Sequence, residues 1–151
     1  FMEQTQYNMF HRHKVEVEFS RLYRSVGLGT TVWSPLASGV LTGKYLEDFP
    51  DDTRLGMEGL EWLKERALTE ERLEKVRKLQ QVALDMGTTL PKLAIAWCLK
   101  NPNVDTVILG GSKVSHLEEN IQALDLLPQM DRDLMDHLDE VLGNQPEHPP
   151  F

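Results

Sequence analysis

The stretch Val32–Tyr45, VWSPLASGVLTGKY, decides how this chain is read. It begins as the end of a buried strand, meets Trp33-Ser34-Pro35, and then settles into neither helix nor strand. Residues next to a proline are held extended. Gly39 and Gly43 let a backbone come close to another group. Ser34, Ser38, Thr42 and Lys44 supply donors along the same run. A strand that leaves this way wraps a ligand or crosses the surface as a solvated loop, and these residue types alone support both readings.

Outward from this stretch the apolar periodicity is mainly helical. Val15, Phe19, Leu22 and Val26 recur at steps of four and three, with Gly27 or Gly29 to end the helix. Thr69 reads as an N-cap with Glu70 and Glu71 in the first turn. The helix it opens carries Leu73, Val76, Leu79, Ala83 and Met86 on one face and stops at Gly87. A third helix follows Thr89, with Pro91 in the first turn, where a missing N–H costs little. It is lined by Leu93, Ala94, Trp97 and Cys98 and ends at Asn101-Pro102. A fourth carries Val114, Leu117, Ile121 and Leu124. The last starts near Asp131, buries Leu134, Leu138, Val141 and Leu142, and ends at Gly143. Residues 145–151 read as a loose tail.

Strand signals are fewer. Thr30–Trp33 and Asp105–Gly111 are short and rich in β-branched residues, and each follows a helix. Residues 1–7, FMEQTQY, read as a third strand. Helix–strand alternation of this kind predicts parallel strands joined by helices. Both clear strands open at their C-terminal ends into glycines, hydroxyls and charges, where α/β folds place ligands. The connection from Ser34 to about Gly59 is long for a compact domain, where loops beyond roughly 12–15 residues are usually functional or disordered. At the second strand end, LGGSKVSHLEEN (Leu109–Asn120), Ser112 is placed to cap a helix whose N–H groups attract anions, with Lys113 beside it. A plain capped helix fits that pattern equally well.

Composition narrows the classes. The chain has 151 residues, 40% apolar and 26% charged, with a net charge of −8. This is a one-domain globular composition, and its charge argues against a nucleic-acid surface. No apolar run approaches the roughly 18 residues of a membrane span. Phe1–Lys14 lacks the apolar core of a signal peptide. The single cysteine, Cys98, excludes an internal disulfide and a cysteine-rich zinc site, so a cytoplasmic location is expected.

Four segments in this order and spacing, EQTQYNMF (Glu3–Phe10), WSPLASGVLTGKY (Trp33–Tyr45), LPKLAIAWCLKNPNV (Leu90–Val104) and ILGGSKVSHLEENI (Ile108–Ile121), resemble the C-terminal half of aldo-keto reductases. The resemblance is strongest to the branch that holds the β subunits of voltage-gated potassium channels and their fungal and plant relatives. It covers Met2 to about Asn144. It implies the C-terminal portion of a (β/α)8 TIM barrel, incomplete on its own, occupying residues 1–144. It also implies an NADPH cofactor bound in an extended pose without a Gly-x-Gly-x-x-Gly turn, and this sequence has no such turn.

The resemblance further implies roles. Gln4 would hydrogen-bond the nicotinamide carboxamide and Trp33 would stack on the ring. Ser34, Pro35, Leu36, Ser38, Gly39 and Lys44 would follow the pyrophosphate. Arg54, Ser112 and His116 would surround the 2′-phosphate, His116 standing where relatives commonly carry Gln or Arg. Glu119 and Asn120 would hold the adenine. The family's catalytic Asp, Tyr, Lys and His lie on strands before Phe1, so no catalytic residue is assigned here. Tyr7, His11, His13 and Lys14 read as surface or packing residues, and Cys98 as a buried, inert thiol. The expected function is NADPH-dependent reduction of a small aldehyde or ketone by the intact protein, a homo-oligomer. The rival is a redox-sensing potassium channel β subunit with little or no turnover.

Overall fold

The computed structural model describes residues 1–47 and 53–147, apart from the side chain of Arg54. Three parallel strands, β1 (Met2–Gln6), β2 (Gly29–Trp33) and β3 (Thr106–Val107), lie in that order in one sheet. Gln4 pairs with Thr31, Gln6 with Trp33, and Val32 with Val107. All three strands were expected, but β3 is shorter than Asp105–Gly111. At its start the Asp105 carboxylate accepts the Thr30 N–H at 2.7 Å, and past its end Ile108 N–H still reaches Val32 O at 2.8 Å. The chain then leaves through Gly110 and Gly111.

Alternation puts Thr5, Thr30 and Val32 on the buried side of the sheet. On the other side Gln4, Trp33, Thr106 and Ile108 are exposed. A parallel sheet is normally covered on both faces. Here the helices cover one.

The first expected helix is two elements. Lys14–Glu18 is a π-helical turn, and α1 runs Ser20–Val26 to the left-handed Gly27. The wide turn, closed by Phe19 N–H on Lys14 O at 3.0 Å, lets both Val15 and Val17 reach the core. A regular helix would not face i and i+2 the same way. Leu22 and Val26 of the periodic set stay exposed.

After α2 (Glu61–Ala67), α3 (Glu70–Asp85) starts where Thr69 predicts: its hydroxyl accepts the Arg72 N–H. α4 (Leu90–Lys100) is the centre of the core, with Leu93 through Cys98 all buried. α6 (Arg132–Leu142) is capped by Asp131 and ended by left-handed Gly143. Between them, α5 (Val114–Ile121) and the 3-10 turn Gln122–Gln129 pack on α4 through Ala123 and Leu126. Their periodic apolar set, Val114, Leu117, Ile121 and Leu124, therefore points outward, Val114 being 74% exposed.

One buried cation ties these parts together. Arg12, 7% exposed, donates to Glu16 at 2.9 and 3.1 Å, to Asp139 at 2.7 Å and to Asn144 Oδ1 at 3.3 Å. Its guanidinium also lies 5.1 Å from the centre of the Trp97 ring, which stacks on Tyr7. Burial works against its charge, but Glu16 and Asp139 hold its pKa above the ordinary value. Asn144, at the edge of the expected tail, is itself held by donating to Met9 O at 2.8 Å. Replacing Arg12 with Ala would strand two acids and should cost about 3–5 kcal/mol. Urea denaturation of the full-length protein measures this. A loss under about 1 kcal/mol would place the hub outside the stability-determining core.

Candidate functional site

The C-terminal ends of β1 and β2 open into a cleft of about 1620 Å³. Its floor includes Gln6, Asn8, Trp33, Ile108 and Leu109, and its walls come from the β2 exit, α2, the start of α4 and the start of α5. Trp33, which lines this space, is 41% exposed.

The β2 exit is strained where the sequence refuses regular structure. Ser34, Ala37 and Ser38 all have positive φ, at 60°, 49° and 60°, and Gly39 follows at 90°. For residues with a side chain this region costs roughly 1–2 kcal/mol each. The turn holds because several bonds fix it together. Asn8 Nδ2 donates to Ser34 O at 2.9 Å, Ala37 N–H to the same oxygen at 3.1 Å, and Gly39 N–H to Leu36 O at 2.9 Å. Such strain gathers at functional sites, where the backbone is shaped for something other than itself. Lys44 folds back over this turn: a Cβ on Gly39 would lie 3.0 Å from its Cε and 3.1 Å from its Nζ. The ammonium also sits 5.0 Å from the Tyr45 ring centre. Glycine is thus required twice, by φ and by the close approach.

Across the cleft, Gly110, Gly111, Ser112, His116, Glu119 and Asn120 line the wall. Ser112 does not cap α5, as the sequence suggests it would; Lys113 takes the N-cap position without a side-chain bond. Chain entry through two glycines puts Ser112 one residue too early. Glu119 accepts the Thr89 hydroxyl at 2.8 Å, joining α5 to the α4 start, and Asn120 is buried.

Of the residues singled out from sequence, Trp33, Ser34, Pro35, Leu36, Ser38, Gly39, Lys44, Ser112, His116, Glu119 and Asn120 line this one cleft. Gln4 does not; it lies lower on β1, on the sheet face that also carries Gln6 and Trp33. Arg54 begins a 3-10 turn, and its side chain lies outside the described residues. Sequence reading missed Asn8, which anchors the strained turn, and the cleft-facing Trp62, Thr53 and Thr88. A buried Asn just past a strand is a signal only once the strands are paired.

The reactive types elsewhere are quiet. Burial, then the Glu16 charge, pushes the Cys98 thiol up, and its Sγ faces Tyr7 O at 3.8 Å. Burial and Glu16 likewise raise the Tyr7 phenol, which bonds Glu16 at 2.8 Å and accepts from Asn101 at 3.1 Å. An open indole, a row of hydroxyls, a strained backbone and an ammonium lining one large cleft suit an extended anionic molecule with a flat ring.

A profile of the aldo/keto reductase family matches residues 1–142. Two similar curated proteins, from Arabidopsis thaliana and Oryza sativa subsp. japonica, are each named probable voltage-gated potassium channel subunit beta. Each is 46% identical to this chain, over 149 and 147 residues. These alignments cover 98% and 97% of this chain and 45% of each relative, so the chain spans about half their length.

The strained turn makes a stability prediction. Gly39→Ala should lose about 1–2 kcal/mol for its φ alone, plus the displacement of Lys44. Gly87→Ala, at φ +70° with nothing within 4 Å of an added Cβ, carries the φ cost without the contact. Thermal melts of both variants should place Gly39→Ala lower. Equal melting temperatures would show that Lys44 yields without cost.

Proposed function

The chain belongs to the aldo/keto reductase family, and we propose that it forms the NADP(H)-binding part of a reductase for aldehyde or ketone carbonyls. The observation that carries this reading is the strained β2 exit, with Ser34, Ala37, Ser38 and Gly39 at positive φ under Lys44, lining one cleft together with the start of α5. That cleft suits the extended dinucleotide pose that the motifs imply. The uncovered sheet face and the outward apolar stripe of α5 fit a barrel completed by further strands, since eight are needed for closure.

In this reading Trp33 stacks on the nicotinamide. Gln4, on the same sheet face, serves its carboxamide. Ser34, Pro35, Leu36, Ser38 and Gly39 shape the backbone along the pyrophosphate, and Lys44 neutralises it. Arg54, Ser112 and His116 take the 2′-phosphate, and Glu119 and Asn120 the adenine. When bound, the reduced cofactor supplies a hydride to the carbonyl carbon. The chain's own residues orient the nicotinamide ring and exclude water from one face, and none of them is assigned as the proton donor. The protein is cytoplasmic and homo-oligomeric in this proposal. Among the described residues no single helix is long and apolar enough to cross a membrane.

A second reading is favoured by the relatives' names: a channel β subunit in which bound NADPH reports redox state with little turnover. Aldehyde-dependent NADPH oxidation by the full-length protein separates the two readings, because both bind cofactor and only one consumes it at an enzymatic rate.

Two measurements test the shared premise. Arg54→Ala should weaken NADPH binding by about 1.5–3 kcal/mol, the worth of a charge-assisted bond, and leave NADH binding nearly unchanged. Equal losses would remove Arg54 from the 2′-phosphate. In a variant that keeps Trp33 but replaces Trp62 and Trp97, saturating NADP(H) should quench the remaining emission. An unchanged spectrum would remove Trp33 from the ring.

A further inference from the structure

In the lining of the cleft two arginines form no ion pair with a carboxylate among the described residues. Arg66 lies in the last turn of α2 and Arg72 in the first turn of α3. Elsewhere Arg12, Arg77 and Arg132 each contact an acid. Arg72 is held without being neutralised: its guanidinium lies 5.3 Å from the Phe10 ring centre, and its Nη1 donates to Arg66 O at 3.0 Å. Phe10, Arg66 and Arg72 line a recess of about 330 Å³, and with His11 they also line the large cleft, so the two spaces adjoin. Glu71, on the same recess, is bound by Lys75 at 2.6 Å, and that pair adds no net charge.

We propose that Arg66 and Arg72, with Phe10 and His11, form an oxyanion-binding recess adjoining the cleft, for a carboxylate or phosphate group of a molecule held there. Two guanidinium groups offer the planar forks that match such oxygens. The aromatic ring fixes one of them, leaving its N–H groups to the ligand. In a chain of net charge −8 this local excess of positive charge is not a general feature of the surface. The electrostatics agree with the geometry. Burial, then Arg66, lower the Arg72 pKa against the opposing charge of Glu71; burial, then Arg66 and Arg72, lower that of His11, which also faces Lys14 and Glu18. An anion between them would relieve both. None of these four residues is assigned to the cofactor above, so the recess does not rest on that reading.

The test follows the His11 imidazole of the full-length protein by NMR. It is titrated with pH in chloride, then in inorganic phosphate and in acetate, at one ionic strength so that screening is constant. Each anion should raise the His11 pKa, while exposed His13, paired with Glu18, should not follow. Arg66→Gln and Arg72→Gln should each weaken the phosphate effect about tenfold or more, the loss of one charge-assisted contact. Arg66 is exposed and makes no side-chain bond among the described residues, so its variant keeps the test valid should Arg72→Gln unfold. Repetition in saturating NADP+ identifies the source. A phosphate effect that disappears assigns the recess to a phosphate of the nucleotide. One that persists assigns it to a different molecule in the cleft. A His11 titration that ignores both anions, or that responds equally in the Arg66→Gln protein, overturns the proposal.

Discussion

Arg12 is the residue on which the described structure most depends. Its guanidinium is withdrawn from water, a state that is tolerable only with near-complete pairing. Glu16 from the π turn, Asp139 from α6 and Asn144 beyond it supply that pairing, and Trp97 of α4 supplies a face. These groups come from segments up to 132 residues apart in sequence. A single cation therefore fixes how the β1 exit, the central helix and the C-terminal helix meet. The π turn has its reason here too: it turns Glu16 toward Arg12 and Tyr7 while both neighbouring valines enter the core. Trp97 is so enclosed that its indole N–H finds no partner among the described residues, and its ring contacts offset that loss.

The hub and the cleft are joined through β1. Tyr7 belongs to the hub, and Asn8, the next residue, anchors Ser34 O at the strained turn. The β2 exit is thus braced from a rigid neighbour, which is how a backbone keeps three side-chain-bearing residues at positive φ. Lys44, though exposed, lies over that turn and lines the cleft, so its charge stands at the cleft. Arg66 and Arg72 do the same at another edge. A chain that is acidic overall holds two separate cationic points around one concave space.

The uncovered sheet face and the stripe Val114, Leu117, Ile121 and Leu124 have a common physical meaning. Apolar residues at helical spacing are normally buried by a neighbouring layer. The described residues supply that layer on one side only. The two channel β relatives match this chain over 45% of their own length, so the rest of such a protein is long enough to provide the other layer.

Much of this was legible in sequence because it is local. Thr69, Asp131, Gly87 and Gly143 mark helix ends through their own backbone and side-chain chemistry, and each does so here. The run Trp33–Tyr45 announced an irregular strand exit through its glycines, hydroxyls and proline. The sequence by itself determined helix periods, parallel strands and the family. It could not determine which apolar set faces inward on α5, that Ser112 falls short of the cap, or that Gln4 stands below the cleft. Those depend on register and on which neighbour arrives first, quantities set by packing between distant segments. The Arg12 hub, the Asn8 brace and the pairing of Arg66 with Arg72 were decided by tertiary structure alone. A charge or an amide reads as surface in sequence until the fold removes its water and supplies its partners.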